Sequence, residues 1–192
     1  MASELEKLRS ELEKLIGELY EGEHKILVHG EGSARARVML VGEAPGEQET
    51  LQRRPFVGKA GKNLDEFLEL AGIDRSELYV SNAVKFRPTK ISAAGRTVNR
   101  PPTLEEVKLF LPWLKREIAL VAPEVVVSLG NVPLKALVGP GAVIGNVHGQ
   151  FQETDGARLY PMYHPASLIY NPSLRSVYAE DIRRLAAWLR EN

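Results

Sequence analysis

Four short segments carry side chains that can do chemistry. The first is Gly42-Glu43-Ala44-Pro45-Gly46-Glu47-Gln48-Glu49. Glycine and proline force a sharp turn here, which can point backbone N–H groups and one or two carboxylates into a shared pocket. Such a carboxylate can activate water; the same acids can also be solvated groups of an ordinary strand–helix loop. The segment has neither the GxxxxGK[ST] spacing nor GxGxxG, so no phosphate-cradling P-loop and no dinucleotide fingerprint is present. The second segment, Arg54-Pro55-Phe56-Val57-Gly58, holds an aromatic ring as a core plug or as a platform for a planar ligand. The third, Ser81-Asn82-Ala83-Val84, places an amide that can offer a donor and an acceptor to a heterocycle, or satisfy its own loop. The fourth, Tyr163-His164-Pro165-Ala166-Ser167-Leu168, supplies a histidine as hydrogen-bond donor or acid, or as a structural imidazole.

These segments need a frame. Apolar runs at Arg37–Gly42, Leu78–Val84, Val125–Leu129 and Leu159–Tyr163 read as strands, and each of the four segments lies at or after the end of a strand or before a helix. Helices alternate with them: Leu64, Phe67, Leu68 and Ala71 share a face that Gly72 can terminate. Val107, Phe110, Leu111, Leu114 and Ile118 share another behind a Thr103/Glu106 capping box, and Tyr178, Ile182, Leu185 and Leu189 form the last. Residues 3–20 form an N-terminal amphipathic helix with a Ser3/Glu6 capping box and Leu5, Leu8, Leu12, Leu15 and Leu19 on its stripe, expected to dock on the domain. Strand–helix alternation with continuous apolar strands predicts an α/β fold, a parallel sheet covered on both faces, with function at the carboxyl ends of the strands. Residues 45–59 and 85–102 read as irregular.

The 192 residues are expected to form a single domain, 1–192, since one core typically serves roughly 100–200 residues. Twenty-five basic residues balance 25 acidic ones, so no polybasic coat is present, but Lys85, Arg87, Lys90, Arg96 and Arg100 form a local basic stretch without an acid. The chain has no cysteine, which removes disulfides, thiolate nucleophiles and thiolate metal sites. No run approaches ~18 apolar residues and the first 24 residues are unlike a signal peptide, so a soluble cytoplasmic protein with no membrane association is expected.

Taken in order, GEAPGEQE (42–49), RPFVGKAGKNLD (54–65), SNAVKFRP (81–88), NRPPTLEE (99–106), VVVSLG (125–130) and HPASLIYNPSLR (164–175) resemble the family 4 uracil-DNA glycosylases of bacteria and archaea. The resemblance implies a three-layer αβα sandwich with a four-stranded parallel central sheet. It also implies hydrolysis of the N-glycosidic bond of uracil flipped out of single- or double-stranded DNA. On that footing Gly42 and Ala44 belong to the uracil-binding turn, with Glu43 and Glu47 as the candidates for the water-activating carboxylate and Glu49 as a third. Phe56 matches the ring that stacks on the base, Asn82 the amide that reads its edge, and His164 the donor to the departing uracil O2. Ser167 and Leu168 match the loop that wedges into the duplex; Arg87, Lys90, Arg96 and Arg175 are expected phosphate contacts from charge and position. A monomer needing no metal is expected. Competing readings are a uracil-DNA-binding protein that does not hydrolyse and a glycosylase for another deaminated base such as hypoxanthine; Asn82 argues against the latter.

The chain departs from this family at the four cysteines that usually hold its iron–sulfur cluster. The first two positions fall near Leu15 and Glu18; the other two are Phe86 and Phe110. The cluster is therefore expected to be absent, with Phe86, Phe110 and the first helix filling its volume. A close relative that captures uracil-DNA covalently carries a histidine in a basic insertion, and residues 89–103 contain none, so covalent capture is not expected.

Overall fold

The computed structural model describes residues 3–154 and 157–192. In chain order the elements are α1 (Glu4–Leu19), β1 (Glu31–Gly32), β2 (Val38–Gly42), α2 (Glu47–Gln52), α3 (Lys59–Ala71), β3 (Tyr79–Asn82), β4 (Thr89–Ile91) and β5 (Thr97–Asn99). There follow α4 (Leu104–Val121), β6 (Val125–Leu129), α5 (Asn131–Val138), α6 (Ile144–Val147), β7 (Arg158–Met162), α7 (Ser167–Tyr170) and α8 (Leu174–Glu191).

The main sheet runs β1-β3-β2-β6-β7, with the last four strands parallel and β1 antiparallel to β3. The expected four-stranded parallel sheet is present, and β1 adds a short antiparallel edge strand to it. Glu31 and Gly32 pair with Val80 and Tyr79. Two residues, one of them glycine, carry no apolar run by which a sequence could announce a strand. Every residue of β2, β3 and β6 is buried, as strands covered on both faces require. Leu64, Phe67 and Leu68 of α3 pack with Tyr178, Ile182 and Leu185 of α8 over one face, while Leu114 and Val121 of α4 and Leu134 of α5 cover the other.

Helix ends follow their chemistry. Ser3/Glu6 and Thr103/Glu106 both close reciprocal capping boxes, and Gly72 ends α3 in the left-handed conformation. The α1 stripe docks through Leu8, Leu12 and Ile16, with Leu12 and Ile16 against Phe110 of α4, while Leu19 stays exposed. Two segments expected to be irregular are not: 45–59 contains α2, and 85–102 folds back as the β4–β5 hairpin. Neither α2 nor the two hairpin strands bury a side chain, so neither shows an apolar period. Among the described residues no helix is long and apolar enough to cross a membrane.

Candidate active site

The site assembles where β2, β3 and β7 end. β2 and β3 pair in register from Met39↔Tyr79 to Gly42↔Asn82, so the turn after β2 and the amide ending β3 emerge side by side. Gly42 is required by this closeness: a Cβ there would lie 2.4 Å from both Asn82 Oδ1 and Phe56 Cζ. Asn82 is buried against that turn.

Phe56 adopts a left-handed backbone (φ 54°), unusual for an aromatic residue and costing about 1–2 kcal/mol. Two charged groups hold it there. Arg75 donates from Nη1 to the Phe56 carbonyl at 3.1 Å and from Nη2 to the Pro55 carbonyl at 2.8 Å. Glu49 accepts from the N–H groups of Val57 (3.0 Å) and Gly58 (2.7 Å), and its other oxygen accepts from Gly46 at 3.1 Å. Its carboxylate thus ties the turn after β2 to the Phe56 loop. With both oxygens engaged by backbone donors, Glu49 is a clamp and is poorly placed to activate water.

The Phe56 ring stacks on His164 at 5.8 Å between centroids and 30° between planes. Burial pushes the His164 pKa down to about 4, outweighing the raising influence of the Glu49 charge. Its Nδ1 accepts from the Ala166 N–H at 3.1 Å, so the neutral ring carries its proton on Nε2. Asn63 of α3 donates to the Pro165 carbonyl at 3.2 Å and steadies the same loop.

The three carboxylates are now distinguishable. Glu43 is half-buried beside Gly42, and burial raises its pKa above the ordinary carboxylate value. Glu47 is exposed and pairs with Arg87 at 3.2 Å. Arg87 also donates to Asn99 Oδ1 at 2.6 Å, so these two side chains fasten the hairpin to the start of α2. Ala44 packs against the buried cluster that holds Val84, Phe86 and Phe110.

The DNA-facing expectations divide. Lys90 is exposed on the hairpin, as is Arg96 at its tip. Arg87 is largely occupied as described, and Arg175 pairs with Glu66 and lies over the Phe67 ring. Lys85 is no part of the basic surface: it is 3% exposed and bonded to Glu117. Leu168 needs correction as the wedge. It is 3% exposed and packs in the core beneath the loop, because the one-turn α7 directs it inward. Ser167 donates to the His164 carbonyl and braces the turn. Tyr170, 86% exposed, is the side chain that projects, with Ile169 beside it. A tyrosine next to Asn171-Pro172 gave only a weak signal of a loop tip. Arg75 gave none.

The volume around Phe86 and Phe110, where the resemblance would place a cluster, is aromatic. Phe86 meets Tyr20 edge-on at 5.5 Å and Phe110 at 5.3 Å, with Leu12, Ile16 and Val84 around them. The residues here do not fit an iron–sulfur cluster, since the chain offers no thiolate and the volume is packed with side chains.

The sequence model described as "Uracil DNA glycosylase superfamily" matches residues 29–188. The chain belongs to this superfamily. The type-4 uracil-DNA glycosylase of Saccharolobus solfataricus is 36% identical over 170 residues, covering 84% of this chain and 75% of that protein. The type-4 uracil-DNA glycosylase of Thermotoga maritima is 37% identical over 169 residues, covering 86% and 84%. In fold, the crystal structure of Pedobacter heparinus SMUG2 superposes with a TM-score of 0.59 at 16% identity, covering 98% of this chain and 85% of that one.

Proposed function

We propose that this superfamily member excises uracil from DNA by hydrolysing the bond between uracil N1 and deoxyribose C1′, leaving an abasic site. The observation that carries the reading is the buried His164 at the strand ends: its Nδ1 is engaged by the Ala166 N–H, which leaves Nε2 as the donor, and its ring stacks on Phe56, which in turn lies against Gly42 beside Asn82.

The base must leave the stack to enter, at a cost of a few kcal/mol that is least in single strands and mismatches. Phe56 offers a stacking platform, worth about 1–3 kcal/mol per base. The Asn82 amide pairs with uracil O4 and N3–H; cytosine presents the opposite pattern and leaves the buried amide unpaired. As the glycosidic bond lengthens, negative charge gathers on uracil O2, where a fixed neutral donor such as His164 stabilises the transition state more than the bound substrate. Glu43, half-buried beside the turn, directs water to C1′ and takes its proton. Glu47 and Glu49 hold the hairpin and the Phe56 loop instead.

No step needs a redox or metal centre, and the reaction is proposed to proceed without the iron–sulfur cluster of the family, with uracil-containing single- or double-stranded DNA as substrate and a monomer as the working form. The test is a uracil-containing oligonucleotide incubated with the protein and cleaved by alkali. The native chain should yield a strand break at the uracil. Glu43→Gln should lose roughly 10²–10⁴-fold in single-turnover rate and His164→Ala roughly 10²–10³-fold, while Glu47→Gln loses far less. Absence of a break at stoichiometric protein overturns the reading; tight retention without an abasic product would favour a binding module instead.

A further inference from the structure

Behind the pocket lies a buried charge pair that the chemistry above does not use. Lys85 Nζ stands 2.5 Å from Glu117 Oε2, and the two side chains are 3% and 6% exposed. Both carboxylate oxygens are engaged further: Ser81 Oγ donates to Oε2 and Tyr79 Oη to Oε1, each at 2.9 Å, and Lys85 also reaches Ser81 Oγ. Burial alone would raise the Glu117 carboxyl, yet Lys85 and the two hydroxyls hold it below its ordinary value. Gly30 leaves room for this arrangement, since a Cβ there would lie 2.6 Å from Glu117 Oε1.

A buried ion pair adds little stability, because desolvation offsets its attraction; apolar replacements of similar volume are often as stable or more so. What such a pair fixes is geometry, and the chain between its anchors is the relevant one. Ser81 and Lys85 bracket Asn82-Ala83-Val84. The Ala83 N–H donates to the Gly42 carbonyl at 2.8 Å and the Val84 N–H to the Glu43 carbonyl at 3.0 Å, while the Lys85 carbonyl accepts from Val28 at 2.7 Å. The peptide group is planar, so anchoring the Glu43 carbonyl also fixes the direction of the Ala44 N–H across the same plane.

We propose that Lys85 and Glu117 are positioning residues: by fixing segment 82–85 from behind the sheet, they set the Asn82 amide and, through two backbone hydrogen bonds, the Gly42–Glu43–Ala44 turn. The rate arm of the test rests on the uracil-excision reading; a second arm does not. The variant is Lys85→Met/Glu117→Leu, an apolar pair of similar volume. It should fold cooperatively with a Tm near that of the native chain, because relief from burying two charges is offset by the Ser81 and Tyr79 hydroxyls losing their acceptor. Its amide hydrogen exchange at Ala83 and Val84 should be at least tenfold faster, and its single-turnover excision rate at least tenfold slower, with uracil-DNA affinity within about threefold. Unchanged exchange at Ala83 and Val84 overturns the proposal whatever the activity, and so does a native excision rate in the double variant. If the native chain itself excises nothing, the excision reading fails while the exchange measurement still decides the positioning role. Should the apolar pair not fold, Lys85→Gln/Glu117→Gln is read by the same two measurements.

Discussion

His164 binds its proton far more weakly in the folded chain than an exposed histidine does, and that has a stability consequence separate from catalysis. Between pH 6.5 and about 4 the unfolded chain takes up a proton at this position that the folded chain rejects. Stability from this group is therefore complete above pH 6.5 and is lost as pH falls through that window, by about 3 kcal/mol in all. Urea denaturation at pH 7 and pH 4.5 should show a larger loss for the native chain than for His164→Asn; equal losses would mean that the ring is hydrated. Activity follows another group. Since His164 is already neutral, the pH–rate profile should show no limb near 6.5, and its acid limb should lie above the ordinary carboxylate value, set by the raised pKa of Glu43. At this scale the sequence picked out residues that the fold brings together, Gly42, Phe56, Asn82 and His164, because glycine, proline and aromatic residues at strand ends leave few conformations open. It put Glu49 third and could not choose between Glu43 and Glu47. Their roles depend on which backbone donors the folded chain brings to each oxygen, and those of Glu49 come from residues eight and nine positions away as well as from its own turn.

The aromatic group of α1, the segment after β3 and α4 joins elements that are distant in sequence. Phe86 leads directly into Arg87, which fastens the hairpin to α2, so packing in this group is transmitted to the rim of the pocket. Both rings are almost fully buried, and truncating either to alanine should cost about 3–5 kcal/mol in urea denaturation. A loss under about 1 kcal/mol would mean that these rings do not anchor the hairpin. Phe86 and Phe110, standing where the resemblance would place cysteines, made this packing legible in the sequence, and the helical periods made α3, α4 and α8 legible too. Of the elements that escaped, some bury nothing: β1 has two residues, α2 rides on the surface, and the hairpin strands are held by backbone pairing, for which polar sequence carries little pattern. The short helices α5, α6 and α7 escaped although they bury Leu134, Ile144 and Leu168, because one or two turns are too short to show a helical period. Glu117 did leave a trace. It falls on the stripe of α4 between Leu114 and Val121, and a charge at a core position calls for a buried partner.

Over the whole molecule, equal numbers of acidic and basic residues conceal an uneven arrangement. Many of the arginines near the site are paired with carboxylates, among them Arg87, Arg100 and Arg175. On the hairpin, Lys90 and Arg96 remain exposed, on the same carboxyl side of the sheet as Tyr170. This division separates two contributions to DNA handling. Charges that neutralise phosphates release counterions, giving a salt slope of about 0.9 per neutralised phosphate on duplex DNA and about 0.7 on single strands. A projecting ring that fills the gap left by a flipped base acts only where there is a stack to fill. Lys90→Ala/Arg96→Ala should therefore flatten the dependence of log(kcat/KM) on log salt, by about 0.9 on duplexes and about 0.7 on single strands for each phosphate that is no longer neutralised. Tyr170→Ala should leave that slope unchanged and slow excision from paired uracil more than from single-stranded uracil. An equal loss on both substrates would assign Tyr170 to binding rather than to holding the duplex open, and an unchanged slope in the double variant would place the phosphate path away from the hairpin.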